Sequence, residues 1–374
     1  MDTYDVIIVG GGLAGLTAAL HLRREMYRVA VFERQDFPHH KVCGEYVSNE
    51  IVPYVESLGV VLPKNIQIDS ILLSTVAGKS LRAKLPLGGL GISRFTLDKA
   101  LYDRALAMGV VVIAENVLSI VYGQDSFEVG DQKGNRYNSR FVLGAYGKRD
   151  ALDKRLDRYF TKIKSPWLAV KAHYKLDSFP DNIVGLHNFK GGYAGLSKTE
   201  SGAVNFCYLT SYASFKKERG VDHFNRNVVA RNPFLSQFLN DAETLFDSPL
   251  TIGQISFDEK RSVEQHVIMC GDTAGLIHPF CGNGMAMAIH SAKIASELLH
   301  RYFKDKDYER RHMEKEYAIL WKKAFGKRLW AGRQLQSILL NQKISGLAMA
   351  IIGGSPYLTQ KLIESTHGEI IERV

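Results

Sequence analysis

Apolar, mostly β-branched residues run unbroken through Val6-Ile7-Ile8-Val9 and stop at Gly10-Gly11-Gly12, after which Ala and Leu recur at helical spacing. That change of period predicts a strand, a tight turn and a helix at the head of the chain. Arg28-Val29-Ala30-Val31-Phe32 repeats the buried-strand pattern and completes a βαβ unit. Ser48 or Asn49 stands where a cap would precede the helix carrying Ile51, Val55 and Leu58. Ile66 to Val76 partly alternates and a second extended stretch ends at Pro86-Leu87-Gly88-Gly89, which predicts a strand pair outside the parallel core. Leu97, Leu101 and Ala105 mark one helical face, and Val110 to Ile113 reads as a buried parallel strand. Val117 to Val142 reads as short antiparallel strands turning at Gly134-Asn135, before the chain returns to the first layer at Phe141-Val142-Leu143-Gly144.

From Trp167 to Phe257 strand signals dominate, with turns at Gly191-Gly192 and Ser201-Gly202 and a helical interruption from His223 to Leu239. Trp167 to Tyr174 and Ala203 to Thr210 are the expected members of an antiparallel sheet covering a ligand. A further apolar strand, His266 to Asp272, ends in Gly-Asp; a helix follows from Gly284 to Phe303, and the rest is mostly helical. The expected fold class is α/β, with three parts. A doubly wound, Rossmann-like dinucleotide domain is assembled from 1–70, 94–165 and 260–303. A β-sheet substrate domain takes 71–93 and 166–259, and a helical C-terminal region takes 304–374.

A length of 374 residues suits about two domains, and 45% hydrophobic with 23% charged residues excludes a disordered chain. The net charge of +9 admits nucleic acid, an anionic membrane or phosphorylated ligands as partners. No nucleic-acid motif or basic-aromatic stripe accompanies it, so no nucleic-acid partner is expected. The acidic Met1-Asp2-Thr3-Tyr4-Asp5 start does not read as a signal peptide, and no apolar run has spanning length. Cys43, Cys207, Cys270 and Cys281 lack metal-ligand spacing, which fits a reduced, cytoplasmic protein without a metal.

The opening turn carries chemistry. Gly10 turns the chain, Gly12 lets backbone N–H groups approach a pyrophosphate, and Gly15 lets the helix pack closely on the strand, with the helix N-terminus facing the phosphates. Glu33, at the end of the second strand, lies near the roughly 20-residue offset of a carboxylate that holds a ribose hydroxyl. These features together predict a dinucleotide site.

Three separated stretches then match one pattern: Gly10-Gly11-Gly12-Leu13-Ala14-Gly15 with Glu33, Ser93-Arg94-Phe95-Thr96-Leu97-Asp98, and Gly271-Asp272 followed by Pro279-Phe280-Cys281-Gly282-Asn283-Gly284-Met285. In combination they resemble the FAD-dependent monooxygenase and geranylgeranyl reductase superfamily, the flavoproteins like para-hydroxybenzoate hydroxylase, over roughly residues 1 to 300. The resemblance implies FAD as cofactor, with Glu33 on the adenosine ribose and Arg94 and Asp272 serving the pyrophosphate and ribityl region. It sets Gly282, Asn283, Gly284 and Met285 against the flavin ring. Leu13, Ala14, Gly15, Arg34, the backbone at Val117 and Gly271 complete the contacts. Lys41-Val42-Cys43-Gly44-Glu45 resembles the Cys-Gly segment beside the flavin in the reductase branch, so Lys41, Cys43 and Gly44 join the expected cofactor site, with Cys43 also a catalytic candidate. Cys43 and Cys281 would then face one flavin from two loops and, if close enough, could form a disulfide.

Two departures bear on the activity. Gly144-Ala145-Tyr146-Gly147 stands where hydroxylases of the superfamily usually carry Gly-Ala-Asp-Gly, leaving NADPH or NADH as a candidate electron donor without its usual acidic residue. Gly192-Tyr193-Ala194-Gly195-Leu196-Ser197 lacks the aromatic motifs of prenyl reductases and of halogenases. Tyr193, projecting toward the ring, and His278, with a pKa near working pH, are the other catalytic candidates. The favoured expectation is a monooxygenase acting on an apolar or aromatic small molecule. A double-bond reductase acting on an isoprenoid or lipid is the alternative, and an electron-relay flavoprotein the alternative from another class. Lys322, Lys323, Lys327, Arg328 and Arg333 interleave with Phe325, Leu329, Trp330, Leu335 and Leu339, and Gly346 to Ile352 is apolar. This suggests weak peripheral contact with the inner face of an anionic membrane, against the simpler expectation that the apolar stripe packs on the flavin domain.

Overall fold

The computed structural model describes residues 2–340, 355–366 and 368–374. Its first sheet comprises eight strands: β1 (Asp2–Val9), β2 (Val29–Phe32), β6 (Val111–Ile113), β7 (Val117–Gly123), β8 (Ser126–Asp131), β9 (Arg136–Gly144), β16 (Val263–Glu264) and β17 (Val267–Met269). The order is β16-β17-β9-β1-β2-β6, parallel from β17 to β6, with β7 and β8 forming an antiparallel meander onto β9. Val6, Ile7, Ile8 and Val31 are fully buried in the main core, which α1 and residues of the β7–β8 meander such as Phe127 and Val129 share. Each such side chain contributes about 1.5–3 kcal/mol of burial. Helix α1 (Leu13–Arg24) and the long α8 (Gly284–Lys304) pack together, and α3 (Arg94–Ala107) packs on α1. β6 is an edge strand, with Val111 42% exposed, and not the buried strand its composition suggests.

The second sheet has nine strands: β3 (Tyr46–Ser48), β4 (Ile66–Ser74), β5 (Ser80–Gly91), β10 (Trp167–Lys175), β11 (Ile183–Phe189), β12 (Gly192–Lys198), β13 (Val204–Ser211), β14 (Glu243–Thr244) and β15 (Leu250–Gly253). Their order is β14-β10-β13-β12-β11-β4-β5-β3, with β15 also on β10. β3 and the start of β4 belong to this sheet, although 1–70 was expected within the dinucleotide domain; pairing with β5 and β11 overrides their position in the chain. Even-numbered residues of β13, Val204, Phe206 and Tyr208, pack under α6 (Val221–Asn227) and α7 (Pro233–Asp241). Asn232 and Pro233 divide the expected single helix, Asn232 capping α7 through its side chain. On the opposite face Ala169, Leu186, Tyr193 and Leu209 pack with Leu276 and Phe280.

Among its described residues the C-terminal region holds α9 (Arg310–Leu340) and α10 (Pro356–Thr366). Phe325 and Tyr317 are buried in the main core, whereas Lys322, Lys323 and Lys327 are exposed and Trp330 is 61% exposed. No helix among the described residues is long and apolar enough to cross a membrane. The apolar run at 346–352 lies outside the described residues, as do the Leu339 side chain and Lys343.

Candidate functional site: a nucleotide groove continuous with an apolar cavity

The glycine turn is built as elementary sterics require. Gly10 has a φ of +109°, and a Cβ there would strike the Ala145 backbone. A Cβ on Gly15 would overlap the Gly10 carbonyl oxygen, so Gly15 serves helix packing and does not line the site. At Gly12 a Cβ would instead meet only Arg94 Nη2 at 3.6 Å and Lys41 Nζ at 3.9 Å. The turn therefore leaves a cradle between the start of α1, which has no side-chain cap, and two cations. Asp98 holds those cations in place. It takes a bidentate pair from Arg94 at 2.7 and 2.8 Å and an ion pair from Lys41 at 3.0 Å. Burial works against both charges, yet Asp98 lies below the usual carboxylate range and Arg94 above the usual guanidinium value, because each offsets the other's desolvation.

A groove runs from this cradle along Glu33, Arg34, Val117 and Asp150. Glu33 accepts hydrogen bonds from the Gly11 and Gln35 amides at 3.0 and 3.1 Å, which fix its carboxylate at the groove wall. Gly12, Val42, Arg94, Ala145, Gly147, Lys148 and Asp272 line both this groove and a second cavity of about 220 Å³. That cavity lies between the 42–46 segment and the 279–285 loop, where Gly284 and Met285 begin α8. Gly271 has a φ of +60°, and a Cβ there would press on Ala14 and Ala288, so its lack of a side chain lets α1 and α8 converge on the site. A dinucleotide whose adenosine and pyrophosphate follow the groove must place its other end in the second cavity. Uncapped helix start, paired cations, a carboxylate fixed at the groove wall and continuous space together fit FAD.

Residues that no local motif announces hold the Lys41–Glu45 segment. Lys171 Nζ donates to Lys41 O at 3.1 Å, Lys148 Nζ to Val42 O at 2.7 Å, Asn205 Nδ2 to Cys43 O at 3.2 Å and Ser197 Oγ to Gly44 O at 3.0 Å. Glu45, at φ +53° and fully buried, accepts from Lys171 at 2.5 Å and from the Arg94 amide at 2.8 Å, and pairs with His173 Nε2 at 2.6 Å. Burial pushes the Glu45 carboxyl up, but the His173 hydrogen bond and the Lys171 charge outweigh it and hold it below the ordinary value. His40, Glu45 and His173 offer ligand atoms within 4.8 Å of one another. The Lys171 ammonium on the same carboxylate opposes a cation there, so this cluster is a segment anchor. One sequence signal was available: Lys171 and His173 alternate with apolar residues on β10, a pattern shared with a solvated strand face.

The catalytic candidates fare differently. Cys43 lines the cavity. Tyr193 also lines it, but its hydroxyl accepts the Phe280 amide at 3.1 Å and burial holds its pKa well above 10, so it anchors the 279–281 loop. His278 does not line the cavity; it stacks on Phe257 at 3.9 Å, and burial, with Arg333, pushes its pKa down to about 3, which removes it as an acid or base near neutral pH. Asn283 likewise turns away from the cavity, toward Glu50 and Arg328. Cys43 and Cys281 are free thiols; Cys281 faces Gly332 of α9, and burial pushes its pKa to about 12. Tyr146, in place of the hydroxylases' acidic residue, bonds to Asp153 at 3.1 Å in a buried cluster with Arg158.

Beyond Gly195 and Cys207 the cavity wall becomes aliphatic: Leu186 and Val184 of β11, Ile71 and Leu73 of β4, and Leu81, Ala83 and Leu85 of β5. Leu335 of α9 and Leu362 and Ile363 of α10 close it. Ile363 packs in a cluster with Tyr46, Leu85 and Val184.

Residues 5–42 match the family described as DAO, FAD dependent oxidoreductase. The chain is 22% identical over 358 residues to Conditioned medium factor receptor 1 of Dictyostelium discoideum, covering 86% of this chain and 68% of that protein. It is 24% identical over 356 residues to Digeranylgeranylglycerophospholipid reductase of Methanosarcina acetivorans, covering 87% and 82%. A geranylgeranyl bacteriochlorophyll reductase-like structure from Thermoplasma acidophilum aligns with a TM-score of 0.77 at 17% identity, covering 98% of this chain and 96% of that one. Structures of similar fold include a flavin-dependent halogenase and a probable FAD-dependent monooxygenase. The signature at residues 5–42 marks the chain as an FAD-dependent oxidoreductase, and its fold is the one shared by those monooxygenases, halogenases and geranylgeranyl reductase-like proteins.

Proposed function

We propose that the protein reduces carbon–carbon double bonds in a long apolar chain, of isoprenoid or similar lipid character. The observation that carries this reading is the length and chemistry of the cavity wall. Its lining residues come from β10, β13, β12, β11, β4 and β5 in spatial succession, five strand-to-strand steps. At roughly 4.8 Å per step the wall extends about 24 Å, more than an aromatic ring requires. Among the described residues its far half offers no charged side chain to orient a compact polar substrate, and the Tyr46 hydroxyl that borders it donates to Gly88 O at 3.2 Å. The names of relatives such as Digeranylgeranylglycerophospholipid reductase agree with this reading. It reverses the ranking the sequence motifs suggest, in which monooxygenation stands first.

Bound FAD in its reduced form would supply the hydride to one alkene carbon, and the Cys43 thiol at the cavity wall, reprotonated from solvent, is the proposed source of the proton for the other. Arg94, Lys41 and the start of α1 bind the pyrophosphate, and Glu33 orients the ribose. The tethered 41–45 segment and the Tyr193-anchored 279–281 loop hold the two sides of the cavity apart at a fixed width. The aliphatic wall excludes water and aligns the chain. NADPH or NADH is the proposed electron source, tested by bleaching of the flavin absorbance. To test the reaction, the holoenzyme is reduced without oxygen and mixed with a geranylgeranyl lipid. Flavin reoxidation with loss of an alkene is the expected result. Reoxidation and product that both require oxygen would favour monooxygenation.

A further inference from the structure

Behind the first turn of α8 lies an ion pair that the site described above leaves without a task. Asn283, fully buried at the helix N-cap, offers no capping bond to its own helix. Its Nδ2 donates to Glu50 Oε1 at 3.1 Å and its Oδ1 accepts from Arg328 Nη1 at 3.0 Å. Glu50 and Arg328 face each other at 3.6 Å. Arg328 comes from α9, and the C-terminal tail closes over the pair: the Ile371 amide donates to Glu50 O at 2.8 Å, and Gly368 packs where a Cβ would clash with both side chains.

We propose that Arg328 is a positioning residue that sets the reduction potential of the bound flavin through Asn283, with Glu50 as its counterweight. Two-electron reduction of bound FAD with uptake of one proton leaves one net negative charge on the ring system. The Gly284 and Met285 end of α8 opens into the cavity that takes this ring, and a positive charge behind that helix start reinforces the partial charge of its amides. Such a charge acts at low dielectric and is poorly screened. The groups around the pair are Tyr46 on β3, His290 on α8 and Glu369 on the tail. Burial pushes the Glu50 carboxyl up against the pull of Arg328 and Asn283, and pushes the Arg328 guanidinium down against Glu50 and Glu369. The same contacts tie the potential to seating of the C-terminal helices, whose Leu335 and Ile363 close the cavity.

The inference rests on the FAD reading but not on the choice of substrate. The test is a spectroelectrochemical titration of the holoprotein at pH 8.5, where Glu50 is most fully ionised. Arg328→Gln is expected to lower the midpoint potential by about 30 mV, tenfold in the two-electron equilibrium, and Arg328→Lys to restore most of it. Glu50→Gln is expected to raise it. Unchanged potentials, or shifts of the same sign in Arg328→Gln and Glu50→Gln as general damage would give, overturn the proposal. A purified protein without flavin overturns the cofactor reading and this inference with it.

Discussion

The two ends of one sheet face are held together by opposite means. At the β10 end, Lys171, His173 and Glu45 form a fully buried ionic cluster with directional bonds of 2.5 and 2.6 Å. At the β5 end, the side chains of Ile71, Leu85, Val184 and Ile363 meet in an apolar cluster. Removing one partner from a buried ionic cluster strands a charge, so that end tolerates little change. An aliphatic wall loses or gains volume in small increments, so it can be retuned. The polar end therefore fixes the geometry of the 41–45 segment, while the aliphatic end can change volume without disturbing it.

The contrast predicts effects of graded size. Glu45→Ala leaves Lys171 buried and unpaired, and is expected to cost about 3–5 kcal/mol in urea denaturation. Gly15→Ala forces α1 off the Gly10 carbonyl and is expected to lower FAD retention at least about tenfold, read from the ratio of flavin to protein absorbance. Burial lowers the pKa of His187 to about 4 and of His278 to about 3. The folded state holds them neutral while the unfolded chain protonates near 6.5, so their contribution is present above that value and lost as pH falls from about 6.5 toward 3–4. The loss is about 2 kcal/mol for each at pH 5, and a denaturation series in which His187→Gln flattens this slope checks it. Ile363→Val, at the graded end, is expected to cost only about 0.5–1.5 kcal/mol and to shift chain preference without affecting flavin retention.

Much of the first sheet was legible because its signals are local. Gly10, Gly12 and Gly15 are demanded by a turn whose geometry lies within six residues, and Glu33 ends the next strand. Lys171, Asn205, Ser197 and Lys148 were not legible, because each acts across more than 100 residues on the 41–45 segment. A lysine alternating with apolar residues on a strand looks like a solvated face; only the pairing of β10 and β13 turns Lys171 inward. His278 and Asn283 illustrate the converse: they sit in a motif loop, but the side-chain direction that decides their role is set by Phe257, Glu50 and Arg328. Closure of the cavity by α9 and α10 depends on Leu335, Leu362 and Ile363, separated in sequence and joined only by helix packing.

Whether the aliphatic end receives an extended chain is read from the binding of graded polyprenyl alcohols to the oxidised holoprotein, monitored by perturbation of the flavin spectrum. Affinity is expected to tighten with each added isoprene unit, by at most about 0.8 kcal/mol per buried CH₂, until the chain meets Ile363, and then to level off. Chain-length-independent binding, or tighter binding of a single-ring aromatic than of any prenyl alcohol, would rule out an extended-chain site.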